Sequence, residues 1–198
     1  MNLRTSLLAP LLCVISIATA QQKSPPVKEP AEPATATIYR NAAFGFRYRI
    51  PYGWVDRTKE MQDGNDAGKG EVLLAVFERP PQAAGDTINS AVVIAAEKAA
   101  SYPGLKKAED YLAPLTELTT AKGFKVDGDP AEAEIGSQRM VRVDFSKPLS
   151  EKLTMHQTTL VMLAKGQIVT FTFIAESVGA VDDLIDGINF SAQKSKAK

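Results

Sequence analysis

The chain has 198 residues, 44% hydrophobic and 23% charged, which fits one globular domain with appendages. Its 23 Lys and Arg balance 23 Asp and Glu, which excludes the basic surplus that a sequence-independent nucleic-acid binder needs. One Cys and one His exclude a Cys/His zinc site and a disulfide framework within one chain.

Residues 1–20 read as a secretory signal peptide. Arg4 and the amino terminus form a thin positive n-region. Leu7 to Ile17 is an apolar stretch too short to span a bilayer of roughly 30 Å as a helix. Ala18-Thr19-Ala20 is an A-x-A cleavage signal, which makes Gln21 the first mature residue; an uncut N-terminal anchor is the alternative. Cys13 lies inside the apolar stretch behind Leu12, where bacterial lipidation would need a small residue. A cut after Ala20 removes Arg4 and Cys13, leaving 22 basic against 23 acidic residues and no thiol. The expected location is periplasmic or secreted, with stability supplied by the core instead of disulfides.

Residues 21–37 form a Pro-rich disordered linker carrying Pro25, Pro26, Pro30 and Pro33. The globular domain is expected over residues 38–190, followed by a polar tail over 191–198. Ile38-Tyr39-Arg40 and Phe44 to Ile50 alternate apolar and polar residues, the strand period, with Asn41-Ala42-Ala43 as a tight connection. Pro51-Tyr52-Gly53 ends the second strand and Trp54 follows. Gln62 to Gly70 is a loop; Val72 to Phe77 and Ile88 to Ala96 are strands. Leu105 to Thr120 takes the helical period on Ala108, Tyr111, Leu112, Leu115 and Leu118. Thr119 weakens the end of that stripe. Pro114 predicts a break near Ala113, with a second helical piece opening at the proline. Four more strands follow: Ala131 to Ile135, Arg139 to Phe145, Thr154 to Leu163 and Ile168 to Ile174, the last two joined by a turn at Lys165-Gly166-Gln167. Ser177 caps a final helix with Val181, Leu184, Ile185 and Ile188 as its apolar stripe. Strands gathered in runs predict an α+β fold, one antiparallel β-sheet flanked by two helices.

The stretch Phe44-Gly45-Phe46-Arg47-Tyr48-Arg49-Ile50-Pro51-Tyr52-Gly53-Trp54 resembles the PsbP-like superfamily, whose habit is an aromatic strand followed by Pro, one residue, Gly and Trp. Asn89 in a strand after a loop, the hairpin around Gly166 and the closing segment Ile185 to Phe190 fit the same pattern, so the resemblance runs from Ile38 to Phe190. It implies an α/β/α sandwich and a non-catalytic accessory or binding role. Members in photosystem II are linked to calcium and chloride retention and to docking on a membrane complex, and a eukaryotic nuclear-import member binds a small GTPase. None of their functional positions maps onto a residue here, and nothing in the sequence speaks for photosynthesis. On physical grounds alone, Pro51, Gly53 and Trp54 serve the fold.

No catalytic, cofactor-binding or metal-ligating residue is assigned, and no cofactor is expected. His156, the single imidazole, has no G-x-S-x-G partner and reads as a sheet-face residue. Asp63-Gly64-Asn65-Asp66-Ala67-Gly68 opens like a calcium loop, but Ala67 and Leu74 stand where ligands belong, so a turn is the expected state. Lys69 is followed by Gly70, not by the Ser or Thr of a phosphate-binding loop. Arg40, Arg47, Arg49 and Arg57 interleave with Tyr39, Phe44, Phe46 and Tyr48, as in an RNA-binding strand. The glycine and first aromatic of that motif are missing, so the reading is a solvated strand face or an Arg-lined groove for an acidic partner. Asp182, Asp183 and Asp186 are read as a solvated helix face.

The leading function is an exported non-catalytic accessory module, a monomer, that docks a protein or cell-envelope partner and no nucleic acid. Lys194, Lys196 and Lys198 add weak attraction for an anionic surface, so peripheral membrane association stays open. A small-ligand or lipophilic carrier, with Met140, Met155 and Met162 lining an adaptable cavity, is the first alternative. A carboxylate-dependent hydrolase is the second; it requires two carboxylates converging in a cleft.

Overall fold

The strand β1 (Thr37–Asn41) pairs antiparallel with β2 (Phe46–Ile50), Thr37 opposite Ile50 and Asn41 opposite Phe46. The turn between them closes on Asn41, whose Oδ1 accepts the Phe44 N–H at 3.0 Å, with Gly45 at φ +73°. Phe46, Tyr48 and Ile50 are buried while Arg47 and Arg49 turn the other way, as the strand period requires. The computed structural model describes residues 37–63, 70–82 and 86–190. The expected signal peptide, all of the linker but Thr37, and the polar tail lie outside the described residues, as do Gly64 to Gly68 of the calcium-like loop.

Among the described residues, eight further strands form a larger sheet: β3 (Val55–Asp56), β4 (Glu71–Phe77), β5 (Ala91–Lys98), β6 (Lys125–Val126), β7 (Ala131–Ile135), β8 (Gln138–Pro148), β9 (Thr154–Ala164) and β10 (Gln167–Ala175). Their order is β3-β4-β5-β10-β9-β8-β6, with β7 also paired to β8, and every pairing is antiparallel. The β9–β10 turn is Lys165-Gly166, both at positive φ, the two-residue geometry that suits strand twist.

Both faces of the larger sheet are covered, which explains the apolar run Leu160 to Ala164 of β9. On one face Leu74, Ile94, Leu160, Phe171 and Phe173 pack against Phe46 and Tyr48, and against Val181 and Ile185 of α3 (Val178–Ile185). The Phe46 and Phe171 rings meet edge-on, centroids 5.0 Å apart. On the other face Val161 and Ile168 pack against Tyr111, flanked by Tyr102, Leu105, Leu112 and Leu115. Tyr102 and Leu105 come from the connection between two 3-10 turns, Ala99–Ser101 and Ala108–Tyr111, Tyr111 from the second turn, and Leu112 and Leu115 from α2 (Leu112–Thr120). A short helix, α1 (Thr58–Asp63), covers β4 beyond β3. Thr58 Oγ1 accepts the Ala75 N–H at 2.9 Å and Gln62 Nε2 donates to the Val72 carbonyl at 2.6 Å, so the edge of β4 is not left bare. No helix among the described residues is long and apolar enough to cross a membrane.

The α+β class with an antiparallel sheet stands as expected, with several local differences. The sheet is two sheets: β1, β2 and β11 (Ile188–Phe190) form a separate three-stranded layer in the order β1-β2-β11. It shares one face of the larger sheet with α3. Ile188 therefore belongs to a strand, not to the final helix, which ends at Ile185 before Asp186-Gly187. Pro114 sits at the third position of α2, where its missing N–H has no helical acceptor to lose, so the break falls earlier, between Tyr111 and Leu112. Leu118 is 58% exposed while Thr119 is buried, its Oγ1 donating to the Leu115 carbonyl at 2.8 Å. The strand expected from Ile88 starts at Ala91; Ile88 is buried without pairing. Asn89 is in the loop before it, accepting the Arg79 N–H at 3.1 Å and donating to the Arg79 carbonyl at 3.0 Å, a side-chain substitute for a ladder pair. The short elements α1, β3 and β6 have no periodic signal in the sequence and went unread.

Candidate functional site: the outer face of the three-stranded sheet

Alternation along β1 and β2 puts Ile38, Arg40, Arg47 and Arg49 on the side of the small sheet turned away from the core, and β11 adds Asn189. Arg40 stands directly opposite Arg47, and Ile38 opposite Arg49. On its other side Arg47 is opposite Asn189, whose Oδ1 accepts from Arg47 Nη2 at 3.0 Å. Arg40 and Arg49 are exposed and make no side-chain hydrogen bond or ion pair among the described residues. Ion pairs in the described chain lie elsewhere, on Arg57, Arg139 and Arg142. Like charges directly across a strand pair are unfavourable, and among the described residues no carboxylate pairs with Arg40, Arg47 or Arg49.

The face runs on into Pro51-Tyr52-Gly53. Gly53 takes φ +81°, the left-handed region the turn requires, and Trp54 packs against the core. Tyr52 is left 80% exposed. Shallow depressions lie on either side of it. One, of 270 Å³, is lined by Arg49, Tyr52, Asp183, Leu184 and Gly187; the other, of 280 Å³, by Thr37, Pro51, Tyr52, Trp54 and Asp56. Asp183 shares the first depression with Arg49 but forms no ion pair with it.

The structure separates the other residues singled out by sequence. Arg57 leaves the arginine group and pairs with Glu60 of α1 at 2.9 Å; a backbone hydrogen bond, then the one from Arg57, lower the Glu60 pKa. Phe46 and Tyr48 are buried on the inner side, so the interleaved aromatics cannot stack bases beside the arginines. Asp182, Asp183 and Asp186 do not act together. Asp182 accepts from Arg142 Nη1 at 2.9 Å, while Asp183 lines the depression near Tyr52. All three are exposed, as the sequence reading has it, and Asp182 in addition pairs with Arg142, which reaches across from β8 to α3. Arg142 Nε also donates to both Asp144 oxygens, at 3.0 and 2.9 Å, and these hydrogen bonds raise the Arg142 pKa. Thr158 donates to the same Asp144. His156 borders a 210 Å³ depression beside this network, and its side chain makes no hydrogen bond among the described residues.

The methionines do not line a common cavity. Met140 and Met162 are 1% exposed within the aromatic core, and Met155, seven residues before Met162 on an unbroken strand, points to the opposite face. A second cluster escaped the sequence reading: Glu97 on β5 accepts from the hydroxyls of Tyr111, at 2.7 Å, and Tyr102. The tyrosine rings meet edge-on at 5.0 Å. Burial first, then the Glu97 hydrogen bond, pushes both phenol pKa values up. No spacing signal links residues so far apart along the chain.

The layered arrangement matches solved structures. The solution structure of a cyanobacterial PsbP (CyanoP) from Synechocystis superposes over 82% of this chain and 96% of that one, with TM-score 0.53 and 12% identity. The chain has a PsbP-like fold. Weaker likenesses within it include the Ran-binding protein Mog1p of Saccharomyces cerevisiae, at TM-score 0.44 and 8% identity over 78% of this chain and 95% of that one. LpqN of Mycobacterium tuberculosis, involved in cell envelope biogenesis, gives 0.41 and 13% over 79% and 83%. No family model and no curated protein matches the chain. In the PsbP-like frame of this chain, the arginine-bearing face lies on the hairpin whose sequence carries the family resemblance.

Proposed function

We propose that the chain is an exported, non-catalytic accessory module that docks a protein or cell-envelope partner through the outer face of β1, β2 and β11. The observation that carries this reading is Arg40 opposite Arg47, with Arg49 beside them and no ion pair on any of the three among the described residues. A sheet face that served folding alone would gain from a carboxylate or a neutral residue at one of these positions. An incoming partner that supplies the negative charge turns an unfavourable arrangement into a favourable one. The exposed Tyr52 ring at the end of the face adds apolar area of the kind that anchors interfaces.

Export is supported by the leader pattern of residues 1–20 and by a mature chain without thiols. The non-catalytic reading is supported by the engagement of the carboxylates: Arg142 holds both Asp144 and Asp182, and the His156 side chain, which borders the same depression as Asp127 and Asp144, makes no hydrogen bond among the described residues.

The test is crosslinking in exporting cells, comparing the native chain with a folded Arg40→Gln, Arg47→Gln, Arg49→Gln variant. A partner held at low salt by the native chain and lost by the variant supports the reading. The same partner retained by the variant overturns it. N-terminal sequencing of exported material should start at Gln21.

A further inference from the structure

We infer that the element seated on this face is an extended acidic protein segment whose carboxylates recur at every second residue. The inference rests on the docking reading above and assigns the partner's chemistry. Arg47 and Arg49 project from one side of β2 two residues apart, a spacing of about 6.6–6.8 Å. An extended segment repeats its own side chains at the same interval, so two of its carboxylates meet both guanidinium groups without distortion. A helix sets neighbours three or four residues apart at about 5–6 Å on a curved surface, a poorer match to the spacing and to the flat sheet face than an extended segment.

Arg40 lies across from Arg47, about 4.5–5.5 Å away at Cβ. Two guanidinium groups therefore flank one carboxylate site. Arg47 is oriented for this by Asn189, which takes one Nη2 hydrogen and leaves the remaining donors free. The planar fork of each arginine suits a carboxylate held by two parallel hydrogen bonds.

The ends of the site differ. Ile38, 46% exposed and opposite Arg49, and Tyr52, beyond Ile50 and Pro51, make the Arg49 end apolar. Asp183 lines the depression there and would repel a further carboxylate. The acidic stretch thus lies over Arg40, Arg47 and Arg49, and the next partner residues, over Tyr52, are apolar. An anionic bilayer is the less suitable occupant: each arginine raises partitioning by about fivefold, too little from three to hold the chain. A nucleic-acid strand finds a single well-exposed ring, Tyr52, at one end of the arginines, not the run of stacking aromatics it uses, since Phe46 and Tyr48 are buried.

The probes are a synthetic peptide alternating glutamate and threonine and ending in leucine, the same peptide with glutamine for glutamate, and phosphatidylglycerol vesicles. Each is titrated at low salt against the chain, its Arg40→Gln, Arg47→Gln and Arg49→Gln variants, and an Arg47→Lys variant. The glutamate peptide should bind and the glutamine peptide should not. Each Gln variant should weaken binding about tenfold, and Arg47→Lys should fall between, retaining charge but losing the fork. Vesicles should retain no more protein than phosphatidylcholine controls. Absence of glutamate-peptide binding at millimolar concentration overturns the assignment, as do equal binding of the glutamine peptide and vesicle retention abolished by the same substitutions. If a crosslinked partner is lost with the arginines while the peptide fails to bind, only the acidic-segment assignment falls. If the partner persists without them, the docking face falls as well.

Discussion

Gly187 lies beneath the ring of Tyr48. A Cβ at Gly187 would stand 2.8 Å from Tyr48 Cε2 and 3.0 Å from the Leu184 carbonyl oxygen. The Tyr48 hydroxyl donates to that same carbonyl at 3.3 Å, so one side chain ties β2 to the end of α3. Burial raises the Tyr48 pKa, which keeps this donor protonated. The close approach of ring and backbone sets the distance between the helix and the small sheet.

Gly187→Ala is expected to destabilise the chain by about 1–3 kcal/mol through overpacking. Thermal unfolding measures it. Adding Tyr48→Leu should recover part of the loss, because the clash is with the ring; a double variant no better than the sum of the singles would contradict this origin.

Asn89 replaces a strand partner for Arg79, offering one donor and one acceptor. Asn89→Asp is nearly isosteric but sets a carboxylate oxygen against the Arg79 carbonyl. The expected loss is about 1–3 kcal/mol, read by denaturant unfolding, with Asn89→Ala losing no more than the aspartate.

Tyr111 and Glu97 join the 3-10 turn before α2 to β5. Tyr111→Phe removes one hydrogen bond to a carboxylate and should lower stability by about 1–3 kcal/mol. The folded-state pKa of Tyr111 is raised above its unfolded value near 10, so its contribution is present below that pH and lost as pH rises through it. Unfolding followed between neutral and strongly alkaline pH should show the native chain losing stability faster than Tyr111→Phe.

Asp110 accepts the backbone N–H groups of Lys106 and Lys107, at 2.8 and 3.0 Å on one oxygen. These hydrogen bonds hold its pKa below the usual carboxylate value. A depressed pKa contributes stability above the unfolded value and loses it as pH falls. Asp110→Ala should therefore lower the melting temperature at neutral pH, and the difference from the native chain should shrink as pH falls below about 4. A difference independent of pH would refute the carboxylate as its source.

Arg40 faces Arg47, and among the described residues neither has an ion pair. Arg40→Thr should leave stability unchanged or raise it by a few tenths of a kcal/mol. Added salt should stabilise the native chain more than the variant, since screening relieves the repulsion. Urea titrations at two ionic strengths provide the measurement.

Local periodicity was enough to place most of the large strands and the Lys165-Gly166 turn. It also put Arg40, Arg47 and Arg49 on a side opposite to Phe46 and Tyr48, because a two-residue period is a property of the backbone alone. The Ser177 cap was legible for the same reason: its hydroxyl accepts the Ala180 N–H three residues on, at 3.1 Å. Interactions across long stretches of chain were not. That Arg40 sits opposite Arg47 follows from hairpin register, that Asn189 reaches Arg47 follows from a strand formed by the last described residues, and that Asp182 belongs to Arg142 follows from the packing of α3. Tertiary structure also took Ile188 out of the final helix and placed it beside Tyr48 in a second sheet. An apolar residue after Asp186-Gly187 can bury itself on a helix or on a strand, and only the open edge of β2 decided between them.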